Sequence, residues 1–251
     1  MCVNRTVDLL DGIDLVVFDK DGTLIEFHRM WRAWVGELGD RLAAATGRAL
    51  RDATYRLMGV DESTGKIDPH GLFAATPMPR LRELVRAMLV DDGIGPAAAE
   101  AALATAWDPP DPVALATPTT DLPALLEGLR RRGVRAAVAT SDDRGPTERT
   151  LAALGIDAAF ETLVCADDGL PGKPAPDAVL RIAAQLAVNP ERILVIGDAP
   201  ADMRMARAAG AGRVVGVLSG VGDEATLAPL ADVVVPSIAA LAPDPRGRPP
   251  G

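Results

Sequence analysis

Cysteine is nearly missing from this chain: Cys2 and Cys165 are the only two in 251 residues, and no C-x-x-C spacing occurs. A disulfide framework is therefore excluded. Aromatic residues make up 3% of the chain, so its core must be built from Ala, Val, Leu and Ile. No stretch approaches the roughly 18 apolar residues of a membrane span. The opening "MCVNRTVDLLDG" lacks the apolar run of a signal peptide. A reducing, cytoplasmic location is the expectation. Positive charge is also short: 26 Lys and Arg face 35 Asp and Glu, a formal net charge of -9. That balance disfavours nucleic acid and anionic membranes as partners, because both are bound through basic faces. A small phosphorylated ligand stays compatible, since one local pocket can oppose the global sign. The composition says nothing about oligomeric state.

What is abundant is apolar material, 48% of the residues, enough for one large domain or a core with a smaller insert. "IDLVVFD", residues 13 to 19, is a short continuous run rich in Val. That is the pattern of a parallel strand covered on both faces. The next such strand is distant, at "VRAAVAT", residues 134 to 140. From there the alternation is regular. "PTERTLAALG" reads as a helix closed by Gly155, "ETLVC" as a strand, and "PDAVLRIAAQLAV" as a helix with Pro176 near its first turn. "RILVIGD" is a strand, "PADMRMARAAG" a helix ended by Gly210, and "RVVGVL" and "ADVVVP" are strands. This order predicts an α/β fold with an open, Rossmann-like parallel sheet.

The residues between the first two strands differ. They are rich in Ala, Leu and Arg, with helical periodicity in "RMWRAWVGELGDRLAAAT", "PRLRELVRAML" and "PAAAEAALATAW". We read them as a helical insert over residues 28–114, with the core formed by residues 1–27 and 115–251. "DLPALLEGLRRRG" leads into the second strand, with Asp121 as N-cap and Gly133 just past the helix end. Inside the insert, "GVDESTGKIDPHGLFAATP" is a long polar connection, and connections of that length are often functional. The tail "APDPRGRPPG" is expected to fray.

In open α/β sheets ligands bind beyond the carboxyl ends of the strands. The first strand ends in Asp19 and Asp21, the second in Thr140, Ser141, Asp142 and Asp143, the third leads into Lys173, and the fourth runs into Asp198 and Asp202. Singly, each has a plainer reading. Asp-Gly is a common turn, a strand-end Thr needs no ligand, and a loop Lys is usually solvated. Together, at four successive strand ends, they suit phosphoryl transfer around Mg²⁺. Magnesium takes hard oxygen ligands. A carboxylate can act as nucleophile, a second as general acid and base, and a metal with a lysine offsets the anionic repulsion.

"FDKDGTL", "VRAAVAT", "GKPAPD" and "GDAPAD" resemble, in order, the four motifs of the haloacid-dehalogenase-like phosphatase superfamily. The resemblance spans essentially the whole chain. It implies Asp19 as nucleophile and Asp21 as general acid/base. It implies Thr140, Ser141 and Lys173 as phosphate-binding residues. Asp19, Asp198 and Asp202 would hold Mg²⁺, together with the backbone carbonyl of Asp21. The helical insert resembles the type 1 cap of that superfamily, and the C-terminal region is similar to phosphoglycolate-phosphatase-like members. By analogy with such caps, Lys66 and His70 in the insert's long connection are candidates for substrate specificity. Dehalogenases of the superfamily lack the second aspartate, and its transport ATPases carry threonine there. Asp21 therefore points to a phosphatase, with a phosphosugar mutase as the alternative. The substrate would be phosphoglycolate, a sugar phosphate or a nucleotide. The intact residue set argues against a catalytically silent binding protein.

Overall fold

The computed structural model describes residues 8–26, 28–64, 67–68, 71–111, 113 and 116–242. Six strands form one sheet: β1 (Leu15–Phe18), β2 (Arg135–Ala139), β3 (Leu163–Val164), β4 (Ile193–Gly197), β5 (Arg213–Val217) and β6 (Val233–Val235). Every pairing is parallel, in the order β3-β2-β1-β4-β5-β6. The expected open α/β sheet is what forms. The apolar continuity of β1 has a direct cause. Val16 and Phe18 pack into a cluster on one face with Leu122, Leu125 and Leu129, while Leu15 and Val17 pack into another with Val179 and Met203. With both faces covered, no position of the strand is left for a polar residue.

The helices follow from local signals. Between β1 and β2 lie α1 (His28–Thr46), α2 (Arg51–Met58), α3 (Leu72–Ala75), α4 (Met78–Asp91), α5 (Pro96–Ala106) and α6 (Leu122–Arg131). The Asp121 carboxylate accepts from the Ala124 amide at 3.1 Å, the expected cap of α6, and Gly133 takes the left-handed φ of 73° just past its end. The later helices are α7 (Arg144–Ala153), α8 (Asp177–Leu186), α9 (Pro200–Ala208) and α10 (Glu224–Leu227).

Helices α1 to α5 bury a hydrophobic cluster of their own, with Leu38, Leu42, Val85, Leu89 and Leu103 at its centre. Trp31 and Trp34 pack edge to face at 5.7 Å and Trp34 meets Trp107 at 5.1 Å, so the tryptophans are packing residues of this cluster. The expected junctions of the insert fall beside Phe27, Ala114 and Leu115, which lie outside the described residues.

Three details depart from the sequence reading. Helix α2 was not anticipated, because Tyr55, Thr54 and polar neighbours break its apolar stripe. The connection at 59–77 contains the short helix α3, anchored by Phe73, whose ring lies 5.5 Å from Trp31 and 6.0 Å from Trp34. Strand β3 keeps two residues of the five in "ETLVC". It is an edge strand with β2 alone as neighbour.

Leu89 is fully buried in α4. Leu89→Ala is expected to cost about 2–5 kcal/mol of stability through the cavity it leaves. Denaturant unfolding checks this, and a loss below about 1 kcal/mol would contradict the packing described.

Candidate active site

The parallel register places Phe18 opposite both Val138 and Ile196. Asp19, one residue on, is therefore level with the ends of β2 and β4, and its amide donates to the Ile196 carbonyl at 2.9 Å. The flanking strand ends deliver Thr140 and Asp198, both buried. Lys173 comes from the loop between β3 and α8. Its Nζ donates to Asp19 Oδ1 at 2.5 Å and lies 2.6 Å from Asp202 Oδ1. Asp202 sits in the first turn of α9, where its Oδ2 accepts from the Ala199 amide at 3.0 Å. Asp198 Oδ2 accepts from the Val221 amide at 2.6 Å, and its carbonyl accepts from the Gly222 amide at 2.9 Å.

One carboxylate oxygen each of Asp19, Asp198 and Asp202 lies within 4.8 Å of the other two. At that separation, in an effective dielectric near 20, each ionised pair repels by about 3 kcal/mol. Among the described residues, Lys173 is the one cation in contact with this group. Burial drives the Asp19 carboxyl up to about 6, with Lys173 opposing and Asp202 adding to the rise. Asp198 is raised well above its ordinary value by burial, then by Asp19 and Asp202. Burial works against the Lys173 ammonium, yet Asp19 and Asp202 outweigh it and hold the lysine firmly protonated. A buried cluster with more carboxylates than cations favours uptake of protons or of a cation. Asp202 Oδ1 is in ion-pair contact with Lys173 at 2.6 Å, and a carboxylate oxygen has a further lone pair with which to meet a cation. The donor set is all oxygen and suits a hard divalent ion.

Close approach at this edge depends on missing side chains. Gly22 has a φ of 83°, and a Cβ there would overlap the Asp198 carboxylate. One at Gly220 would overlap the same group. The glycine of Asp-Gly-Thr thus makes room for a carboxylate from another strand, besides forming a turn.

Asp21 belongs to a neighbouring ion-pair system. Lys20 is fully buried, with its Nζ 2.6 Å from Asp21 Oδ2 and 2.9 Å from Asp142 Oδ2. Burial raises the Asp21 carboxyl to about 7, against the pull of Lys20 and with help from Asp142. Asp21 and the Asp19 cluster line a single cavity, together with Thr140, Ser141 and Asp142. Its opposite wall comes from the helical segment, through Trp31, Phe73, Thr76, Met78 and Leu81.

Six of the residues singled out in the sequence, Asp19, Asp21, Thr140, Lys173, Asp198 and Asp202, therefore meet at one cavity, and Ser141 joins them. Lys66 and His70 lie outside the described residues. Sequence reasoning named Asp142 at the second strand end but missed its pairing with Lys20, and it missed the Val221–Gly222 turn that holds Asp198. A lysine between two motif aspartates was the one available signal for the first pair.

A family model described as haloacid dehalogenase-like hydrolase matches residues 13–210. The phosphoglycolate phosphatase of Rhodospirillum rubrum is 32% identical over 202 residues, covering 80% of this chain and 78% of that protein. The fructose-1-phosphate phosphatase YqaB of Escherichia coli is 28% identical over 202 residues, covering 78% of this chain and 92% of that one. A solved HAD family hydrolase from Deinococcus radiodurans, with bound phosphate and sodium, superposes with a TM-score of 0.62 at 25% identity, over 92% of this chain and 93% of the other. The chain belongs to the haloacid dehalogenase-like hydrolase family, as an enzyme of its phosphatase branch, similar to the phosphoglycolate-phosphatase-like members. No helix of the described residues is long and apolar enough to cross a membrane.

The raised carboxyls give a signed pH dependence. Asp19 and Asp21 hold protons in the folded state up to about 6 and about 7, whereas unfolded aspartates release theirs near 3.8. Between these values the folded state binds more protons, so stability falls as pH rises. Glu127, held at about 2 by Arg130 and Arg131, acts in the opposite sense but only below its ordinary value of 4.5. Chelator-treated protein should lose a few kcal/mol between pH 5 and 8. Thermal melting across that range checks it, and a rising stability would contradict the assignment.

Proposed function

We propose that this protein is a Mg²⁺-dependent phosphomonoesterase acting on a small metabolite in the cytoplasm, through an aspartyl-phosphate on Asp19. The observation that carries the reading is the convergence of Asp19, Lys173, Asp198 and Asp202 around one buried point, with Asp21 beside them. Asp19 attacks phosphorus, and the bond from phosphorus to the ester oxygen breaks. Asp21 gives its proton to the departing oxygen, then takes one from the water that hydrolyses the acyl phosphate. Its carboxyl near 7 suits both transfers at neutral pH. Thr140, Ser141 and Lys173 hold the phosphoryl oxygens. Asp19, Asp198, Asp202 and the Asp21 carbonyl would hold the magnesium ion, which supplies charge neutralisation for the transferring group.

The helical segment of residues 28–114 acts, in this reading, as a cap. Its Trp31, Phe73 and Met78 line the same cavity as the carboxylates, which supports a small ester over a polymer. Lys66 and His70 remain its candidates for contact with the leaving alcohol. Phosphoglycolate, sugar phosphates and nucleoside monophosphates are the substrates to compare, since the relatives with named substrates include both of the first two. The competing outcome is phosphosugar mutation, in which a second sugar hydroxyl takes the phosphoryl group in place of water.

Phosphate release from these esters, with Mg²⁺ and with chelator, tests the reading. Metal-dependent release is expected, and Asp19→Asn should fall to background while keeping the wild-type circular dichroism. Activity surviving in Asp19→Asn would remove it as nucleophile. Sugar isomers formed without free phosphate would favour the mutase.

A further inference from the structure

Lys20 is the charged residue of the Asp-x-Asp-Gly-Thr string whose side chain has no part in the mechanism above, and it is fully buried. A buried lysine is costly unless its charge is met. Here it is met by two ion-pair contacts, with Asp21 Oδ2 at 2.6 Å and Asp142 Oδ2 at 2.9 Å, while the buried Nζ makes no well-aligned hydrogen bond to either. Asp142 belongs to the loop after β2, and its own backbone is held: its amide donates to Thr140 Oγ1 at 3.1 Å, and its carbonyl accepts from the Ala166 amide at 2.9 Å. The ammonium is thereby fixed from the second strand end and meets the Asp21 carboxylate at the first. Among the described residues nothing else fixes that carboxylate, because Asp21 Oδ1 is buried and makes no hydrogen bond.

We propose that Lys20 is a positioning residue for the general acid: anchored by Asp142, it orients the Asp21 carboxyl towards the leaving oxygen. This rests on the phosphatase reading of the site. In the first half-reaction an Asp19 oxygen bonds to phosphorus, the ester P–O bond breaks with its electron pair staying on oxygen, and that oxygen takes the proton of Asp21. Asp21 is left as a carboxylate beside Lys20, which remains an ammonium throughout. Lys20 acts through its charge on Asp21 Oδ2, and its ammonium pairs with Asp21 and Asp142 rather than with Asp19, Asp198 or Asp202.

Leaving-group dependence separates positioning of a proton donor from a general loss of structure. An alkyl alkoxide needs a proton to depart, whereas 4-nitrophenolate departs without one. The quantity to compare is kcat/KM, which covers binding and phosphorus–oxygen cleavage but not the later hydrolysis of the acyl phosphate. For Lys20→Met, kcat/KM on an alkyl phosphate taken from the active members of the ester panel should fall on the order of 100-fold, within the range ascribed to general acid catalysis. On 4-nitrophenyl phosphate it should change by only a few fold.

Asp142→Asn should show the same selectivity to a smaller degree, and it carries the test should Lys20→Met fail to fold. Its side chain is 25% exposed, and the replacement has the same shape. The double variant should lose less than the product of the two single losses, since both act through one carboxyl. Equal losses on both esters in folded variants would overturn the inference while leaving the phosphatase reading intact. A wild-type protein inert towards every ester would overturn both.

Discussion

The Lys173 ammonium, held between Asp19 and Asp202 at 2.5 and 2.6 Å, is the contact on which the rest of this site depends. Without it, three buried carboxylates would face one another with no cation among the described residues in contact. With it, the repulsion is reduced but not removed, since Asp198 is still driven well above its ordinary value. The arrangement is thus satisfied enough to fold and anionic enough to draw in a divalent ion. A second lysine plays a parallel part nearby: Lys20 reconciles Asp21 with Asp142. Each lysine joins two segments remote in sequence, and the cavity lies where the two systems meet.

The sheet makes this charge arrangement possible. Parallel strands end on the same edge, so three neighbouring strands deliver Asp19, Thr140 and Asp198 side by side. The strands are apolar apart from Arg135 and Arg213 at the starts of β2 and β5, away from the polar edge. Such a division lets the edge carry unfavourable electrostatics while the core supplies stability. Close packing then brings the carboxylates into reach, with Gly22 and Gly220 leaving the space that Asp198 occupies.

Much of this was legible in the sequence because the signals are local. The Val-rich run before Asp19, the Asp121 cap and the helix-ending Gly133 each act through neighbouring residues, and each appears where it was read. The site aspartates and Lys173 could be read because each follows a recognisable strand. What could not be read depends on contacts across the chain. Lys20 reaches Asp142 over more than a hundred residues, and nothing in "FDKDGTL" says that its ammonium turns inward. The Val221 amide that holds Asp198 comes from a loop with no motif of its own. Helix α2 escaped because its stripe is interrupted, and β3 was read too long because its edge position could not be seen from its composition.

The central claim is that the Asp19, Asp198 and Asp202 carboxylates form a divalent metal site. Titration calorimetry with Mg²⁺, on the wild-type protein and on Asp198→Asn, tests it most directly. The account predicts a single site in the wild type, and binding weaker by roughly tenfold or more in the variant, about 1.4 kcal/mol. Equal affinity in the two proteins, or no binding in the wild type, would contradict it.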